Sequence, residues 1–398
     1  MLSQRGSHPV LELGTTLGVL GGGQLGAMFA EAARRLGYRV AVWAPDPEAP
    51  ALKIADLPIV ASFTDPSALE SFAGSIQAAT YEWENVPASV IAELERRMSV
   101  RPSALVLKLL QNRLEQKTFL SSHGFPVVPF HAVTSPDLLA VPETVGYPSV
   151  CKTATLGYDG KGQWRLGGPH DLLALRDTLR GQSASQRGWI LEQWMPFEKE
   201  LSVLVVRSSE GDRRVYPVVE NVHESGILRL TRVPAEVTSA VSDSAATLAA
   251  SVIDVLEGVG VFCIELFLMA DGRLYVNEVA PRPHNSGHYT LDACTVSQFE
   301  QQARALCGLP LGEVRLLCPA VMLNLIGDDL ARVSRHEGLA TLLRTPGARL
   351  RVYGKQASRP GRKMGHVTFL GDKEEDAWNT AMAAWNLLRS PELESMTQ

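Results

Sequence analysis

Residues 18–28 read "GVLGGGQLGAM", and Gly21, Gly23 and Gly26 stand at G-x-G-x-x-G spacing with Asp46 a further 20 positions on. An apolar stretch, Thr16 to Leu20, leads into the glycines. Gln24 to Leu36 then repeats Leu25, Met28, Phe29, Ala32 and Leu36 at helical spacing, and Gly37 ends the helix. Arg39 to Trp43 is a second strand. Strand, glycine turn, helix and strand make a βαβ unit, and that unit commits the start of the chain to a parallel sheet. Gln77 to Tyr81 reads as another strand of it. That strand runs into "YEWENVP", which sets acidic side chains at the strand's carboxyl end, where ligands gather in open α/β sheets. The glycine spacing is also the fingerprint of a dinucleotide-binding fold, with Asp46 as the ribose ligand, so a nicotinamide-dependent dehydrogenase is one reading.

At 398 residues the chain is long enough for two or three domains. A net charge of −5 argues against nucleic acid or an anionic membrane as partner. The five cysteines form no C-x-x-C pair, which suits small core residues in a reducing, cytoplasmic setting. No apolar run reaches membrane-span length, and the first dozen residues lack the order of a signal peptide. The reading is an α/β and α+β multidomain protein. Residues 1–14 form a flexible extension and 15–120 an N-terminal α/β domain ending in a helical stretch, Ser103 to His123. Residues 121–318 form a central domain with a lid at about 125–205 and a long helix, Thr238 to Leu256. Residues 319–398 form a small β-rich domain.

Four stretches carry chemistry. "CKTATLGYDGKGQW", Cys151 to Trp164, places Gly157, Gly160 and Gly162 beside Lys152 and Lys161 between two strands. Glycines free backbone N–H groups to face an anion and lysines neutralise it, although an ordinary hairpin tip has the same outline. In "VFCIELFLMADGRLYVNEVAPR", Asp271-Gly272 predicts a two-residue hairpin turn, which pairs Ala270 with Arg273 and Glu265 with Glu278. Carboxylates about 5 Å apart repel unless a hard cation sits between them, and Mg²⁺ carrying phosphates fits. Asn277 adds a ligand only if it reaches from the next position. "APRPHNSGH" offers Arg282, His284, Asn285 and Ser286 on a stiffened loop suited to substrate contact. "YGKQASRPGRKMGH" clusters Lys355, Arg359, Arg362 and Lys363, which suits a phosphate or, equally, a solvated turn. Glu192 and Glu200 in "ILEQWMPFEKELSV" are candidate acceptors for an adenine amino group and ribose hydroxyls.

Taken together, "GGGQLG", "YEWENVP", "GYDGKGQ", "YPVVENVHESGILR", "NEVAPRPHNSGH" and "GRKMGH" resemble the ATP-grasp superfamily. Within it they resemble the 5-(carboxyamino)imidazole ribonucleotide synthetase family, from about Gly18 to Leu370. The resemblance implies an ATP-grasp fold behind a Rossmann-like pre-ATP-grasp domain. It implies a ligase that uses ATP and Mg²⁺ to carboxylate 5-aminoimidazole ribonucleotide with bicarbonate through carboxyphosphate, in purine synthesis. A homodimer that passes its product to a mutase is the expected setting. By the same resemblance Arg113, Lys152 and residues 157–163 (Gly157, Tyr158, Asp159, Gly160, Lys161, Gly162, Gln163) hold ATP phosphates. Glu192, Gln193, Trp194, Met195 and Glu200 line the adenosine site, with His223 nearby. Glu265 and Glu278 bind Mg²⁺ beside Asn277. Arg282, His284, Asn285 and Ser286 meet bicarbonate or the base, and Tyr158 and Asp159 close over it. Lys355, Arg362 and Lys363, with Gln24, Leu25 and the Gly21–Gly26 loop, take the ribonucleotide's phosphate, and Glu82 and Glu84 lie near the aminoimidazole. Trp194 and Thr153 depart from the family pattern. A formate-dependent glycinamide ribonucleotide transformylase and a non-catalytic nucleotide sensor are the other readings.

Overall fold

The structure, a computed structural model, describes residues 10–155, 157, 162–180, 188–334 and 336–389. The glycine-turn unit forms as its pattern dictates: β1 (Thr16–Leu20) and β2 (Arg39–Ala44) run parallel, joined through the helix Gln24–Arg35. β3 (Leu57–Val60), β4 (Ala78–Tyr81) and β5 (Ser99–Val100) complete a parallel sheet ordered β3-β2-β1-β4-β5. β1 is buried along its whole length, as a central parallel strand must be. The strand order reverses between β1 and β4, so the glycine turn and Glu82 emerge side by side at the carboxyl edge. The stretch Ser103 to His123 is two helices, Ala104–Leu110 and Arg113–Ser122. The Asn112 side chain caps the second by accepting from the Leu114 and Glu115 N–H groups.

β6 (Phe130–Val133), β7 (Ser149–Thr153), β8 (Gln163–Leu166) and β9 (Trp189–Gln193) form an antiparallel sheet ordered β6-β9-β7-β8. Cys151, Leu166 and Leu191 pack against Leu175 and Leu179 of the helix Pro169–Arg180. The strand period of two therefore sends Lys152 and Glu192 to the opposite face. The third sheet has nine strands: β10 (Lys199–Arg207), β11 (Arg213–Val215), β12 (Val219–Glu224), β13 (Ile227–Val233), β14 (Gly260–Leu268), β15 (Leu274–Ala280), β16 (Ala320–Ile326), β17 (Ala348–Val352) and β18 (Lys363–Leu370). Leu201, Val203, Ile264 and Leu266 turn one face toward the helix Ser239–Leu256, leaving Ser202 and Glu265 on the other. The strands expected in a separate C-terminal domain continue this sheet, β13 pairing with β16. Helices Asp329–Ser334, His336–Arg344 and Glu374–Arg389 accompany them.

The hairpin β14–β15 reaches its expected pairing by another route. Met269 and Arg273 close a three-residue loop with Gly272 at φ +82°, in place of the predicted two-residue turn. Leu268 then pairs with Leu274 and Leu266 with Val276, a register that would set Glu265 opposite Asn277. A bulge between Glu265 and Leu266 shifts the ladder by one residue, and Glu265 faces Glu278 after all.

Candidate active site

The face of the small sheet turned away from its core carries a buried charge triad. Glu192, 3% exposed at its side chain, lies 2.6 Å from Lys152 Nζ and 3.2 Å from Lys117 Nζ. Burial acts to raise the Glu192 carboxyl, but the two ammonium groups outweigh it and hold the carboxyl down at about 2. Lys117 tells the other half: burial pushes its pKa below the usual lysine value despite Glu192, because one carboxylate serves two cations. The triad is short of negative charge, as a phosphate site should be. Arg113, one helical turn before Lys117, donates to the carbonyls of Thr153 (3.2 Å) and Gly157 (2.9 Å) and lies 3.7 Å from Glu278. It joins the root of the glycine loop to the carboxylate hairpin.

Across the site, burial and then the Glu278 charge raise the Glu265 carboxyl to about 7. A buried carboxyl with a like charge beside it fits a place for a cation. Two carboxylates suit Mg²⁺, which completes its shell with phosphate oxygens and water. Among the described residues no group of three or more His, Cys, Asp or Glu forms a protein-only metal cage. His284 Nε2 is 3.2 Å from Glu265 Oε1. Burial, then Arg282 and Lys363, hold the His284 pKa well below its ordinary value, so the ring is neutral at physiological pH. Arg282 lies 2.7 Å from Glu84. His223 sits 2.8 Å from Glu200, whose hydrogen bond and charge raise the imidazole against its burial.

The fingerprint glycines serve a different end from the one their spacing suggests. Glu82 Oε1 accepts from Gly23 N–H at 2.7 Å, and Oε2 from Gly26 N–H at 3.3 Å. A Cβ on Gly21 would stand 2.8 Å from the Glu82 side chain, and one on Gly23 2.9 Å. The carboxylate therefore fills the helix N-terminus that a phosphate was expected to take, which corrects that assignment for Gly21–Gly26 and leaves no room for a dinucleotide pyrophosphate. Asp46 accepts from Glu48 N–H at 3.0 Å and is a turn residue, not a ribose ligand. Gly21 has φ +107°, so Gly21→Ala combines backbone strain with a clash. It should lose about 1–3 kcal/mol of stability, measurable by urea denaturation. Leu25 is buried and lines a small cavity with Glu82 and Pro283. Gln24 opens the helix beside them.

The C-terminal loop docks here. Lys53 Nζ donates to Gly354 O at 3.1 Å, Arg351 pairs with Glu31 at 2.6 Å, and Gln356 contacts Glu48. Lys355 Nζ donates to Lys363 O at 2.8 Å, and Arg362 donates to Ala357 O at 2.8 Å. Lys363 opens β18, and its charge is among those that lower the His284 and His288 pKa values.

Three models of protein domains match the chain in this order: the ribonucleotide synthetase preATP-grasp domain over residues 14–111, the ATP-grasp domain over 118–299, and the phosphoribosylaminoimidazole carboxylase C-terminal domain over 320–380. The N5-carboxyaminoimidazole ribonucleotide synthase of Bacillus subtilis is 40% identical over 373 residues, 94% of this chain and 95% of that protein. The chain belongs to the N5-carboxyaminoimidazole ribonucleotide synthase family. The family's Brucella melitensis member is also 40% identical, covering 90% of this chain and 97% of that protein. The crystal structure of an ADP complex of an N5-carboxyaminoimidazole ribonucleotide synthetase superposes with a TM-score of 0.89 at 41% identity, over 96% of this chain and 100% of that one. The Aspergillus clavatus synthase, solved with ADP and 5-aminoimidazole ribonucleotide, gives 0.85 at 33% identity, over 94% of this chain and 98% of that one. This protein is thus an ATP-grasp ligase of purine biosynthesis.

Within that family frame, most of the residues singled out from sequence converge. Lys152 pairs with Gln163, Arg113 lies near Glu278, Glu278 pairs with Glu265, His284 contacts Glu265 and His223 contacts Glu200, with Asn277 as the residue the bulge inserts. Gln193, Trp194 and Met195 follow Glu192 at the end of β9. Gln193 and Trp194 are anchored through backbone N–H groups to Pro129 and Pro148, and Arg165 lies 4.2 Å over the Trp194 ring. Thr153 packs against Gly162, where an added Cβ would stand 2.7 Å from the Thr153 hydroxyl. Tyr158, Asp159, Gly160 and Lys161 lie outside the described residues. Three further assignments change. Glu192 is the lysines' counter-ion, so its acceptor sites are engaged before any adenine arrives. Asn285, assigned to catalysis, exchanges both its amide groups with Asn324 at 3.0 and 2.7 Å and is 7% exposed, so it shapes the loop. Ser286, assigned to substrate, is buried with its hydroxyl 2.8 Å from His284 Nδ1. Lys117 was missed, although its i, i+4 spacing from Arg113 puts both on one helix face.

Proposed function

We propose that the protein carboxylates the exocyclic amine of 5-aminoimidazole ribonucleotide with bicarbonate, and that the residues above divide the work as follows. ATP phosphorylates bicarbonate to carboxyphosphate, and transfer of the carboxyl group to the amine releases phosphate. Lys117, Lys152 and Arg113 hold the triphosphate, and the adenosine lies against Gln193 to Met195 with Glu200 and His223. Glu265 and Glu278 hold Mg²⁺, which when bound offsets charge on the transferring phosphoryl group. Arg282 and neutral His284 donate hydrogen bonds to the bicarbonate-derived oxygens, so that no side-chain nucleophile is needed. Lys355, Lys363 and Arg362 face the ribonucleotide from the C-terminal loop, with Glu82 and Glu84 on the N-terminal side. A cytoplasmic homodimer that hands its product to a mutase is the setting proposed for it.

The observation that carries this reading is the opposition of an under-neutralised lysine pair and a like-charged carboxylate pair, bridged by Arg113. Phosphate release with ATP, Mg²⁺ and bicarbonate should rise on adding 5-aminoimidazole ribonucleotide; no stimulation would overturn the assignment. Lys355→Ala should raise KM for the ribonucleotide about tenfold or more and leave KM for ATP unchanged, as expected for loss of one charged hydrogen bond.

A further inference from the structure

Ser202, Asn221 and Thr231 lie on the polar face of the large sheet and are 1%, 6% and 0% exposed. Ser202 is the direct cross-strand partner of Glu265, and Asn221 of Thr231. Buried polar groups on an otherwise well-packed sheet ask for a reason. Theirs is a continuous hydrogen-bond chain. The Thr231 hydroxyl donates to Asn221 Oδ1 at 3.0 Å, Asn221 Nδ2 donates to Ser202 Oγ at 3.0 Å, and Ser202 Oγ donates to Ser286 Oγ at 2.8 Å. Ser286 Oγ, its lone pair occupied from behind, directs its own proton to His284 Nδ1 at 2.8 Å.

The direction of this chain is fixed at its far end. Ser286 backbone N–H, which can only donate, also points at His284 Nδ1, 3.3 Å away. Nδ1 must therefore be the accepting nitrogen, and in a neutral ring the proton sits on Nε2, the atom facing Glu265 at 3.2 Å. With the Asn221 amide flipped, every arrow up to Ser286 would reverse, and His284 would have to donate through Nδ1 against a backbone donor.

We infer that Ser202, Asn221 and Thr231 are positioning residues that hold His284 as its Nε2–H tautomer, so that the edge facing Glu265 donates a hydrogen bond at the reaction centre and does not accept a proton there. The inference rests on the reading that His284 stands at that centre. Asn221 carries the polarity through the chain, because its donor and acceptor are different atoms and it cannot exchange their roles without turning its amide. Thr231 closes the chain by satisfying Asn221 Oδ1.

Nitrogen-15 labelling of the histidine rings in the full-length protein tests this, with the His284 signals assigned by their loss in His284→Asn. The wild type should show Nε2–H. Asn221→Asp has no N–H to give: Ser202 then donates to the carboxylate, Ser286 to Ser202, and His284 must donate through Nδ1. That variant should show the Nδ1–H tautomer, with kcat down about tenfold or more and KM for ATP unchanged. Ser202→Ala, which buries no charge, should give a mixture of tautomers and an intermediate kcat, and it decides the matter if Asn221→Asp does not fold. A wild-type ring protonated on Nδ1, or Nε2–H persisting in the variants that fold, overturns the inference. Wild-type turnover in His284→Asn would instead overturn the placement of His284 at the centre.

Discussion

Glu278→Gln is expected to lower turnover roughly 100-fold or more, the scale of losing one electrostatic contact to a charge-bearing transition state, while leaving the fold at least as stable as before. The two halves of that expectation come from the same geometry. Glu265 and Glu278 are direct partners across β14 and β15, and like charges so placed destabilise a sheet. Glutamine keeps the shape and removes one charge. Glu265 gives the pH dependence. Its folded-state carboxyl is raised to about 7, above its ordinary 4.5, so the folded protein binds the extra proton. Without added metal, that contribution to stability is fully present below about pH 4.5 and is lost as pH rises through about 7. Glu278→Gln should reduce this loss, and Mg²⁺ added to the wild type should do likewise. Thermal unfolding between pH 5 and 8, with and without Mg²⁺, measures both. A variant with near-normal turnover would show that the carboxylate pair does not hold the metal.

The pairing of those carboxylates also shows what the sequence can and cannot reveal. Alternating apolar residues around Glu265 and Glu278 fixed which face each would occupy, and the hairpin signal at Asp271-Gly272 fixed that the strands would pair. The register depended on two local details with opposing effects: a three-residue turn that shifts it one way and a bulge at Asn277 that shifts it back. Neither has a strong sequence signature, because both depend on how the backbone relaxes against its neighbours. The glycine turn behaved similarly. Its backbone was legible from spacing alone. Its occupant was not, since Glu82 lies 56 residues beyond Gly26 and reaches the glycines only because the sheet places β4 beside β1. The same holds for Glu192 and for Asn285, whose partners Lys117 and Asn324 lie on other elements. Period and composition identify which face a side chain takes; long-range partners decide whether it is left free to meet a substrate.

Glu192→Ala should be among the most damaging single changes to the folded protein, with a loss of about 3–5 kcal/mol, the scale of leaving a buried charge unpaired. Two lysines would be left, one of them 2% exposed at its side chain, with no carboxylate between them. Lys117 already titrates below the usual lysine value with Glu192 present, so removing the anion would favour its neutral form further. The wild type also carries a pH signature of this triad. The Glu192 carboxyl is depressed to about 2 from an ordinary 4.5, so the stability it contributes is fully present above about pH 4.5 and is lost as pH falls toward 2. In Glu192→Ala that acid-side loss should vanish, because there is nothing left to protonate. ATP separates structure from function here. If the lysines are built to receive phosphates, saturating ATP supplies the missing negative charge and should recover more stability in Glu192→Ala than it adds to the wild type. Equal ATP-induced shifts in the two unfolding curves would show that the triad is a structural ion pair and not the floor of the phosphate site.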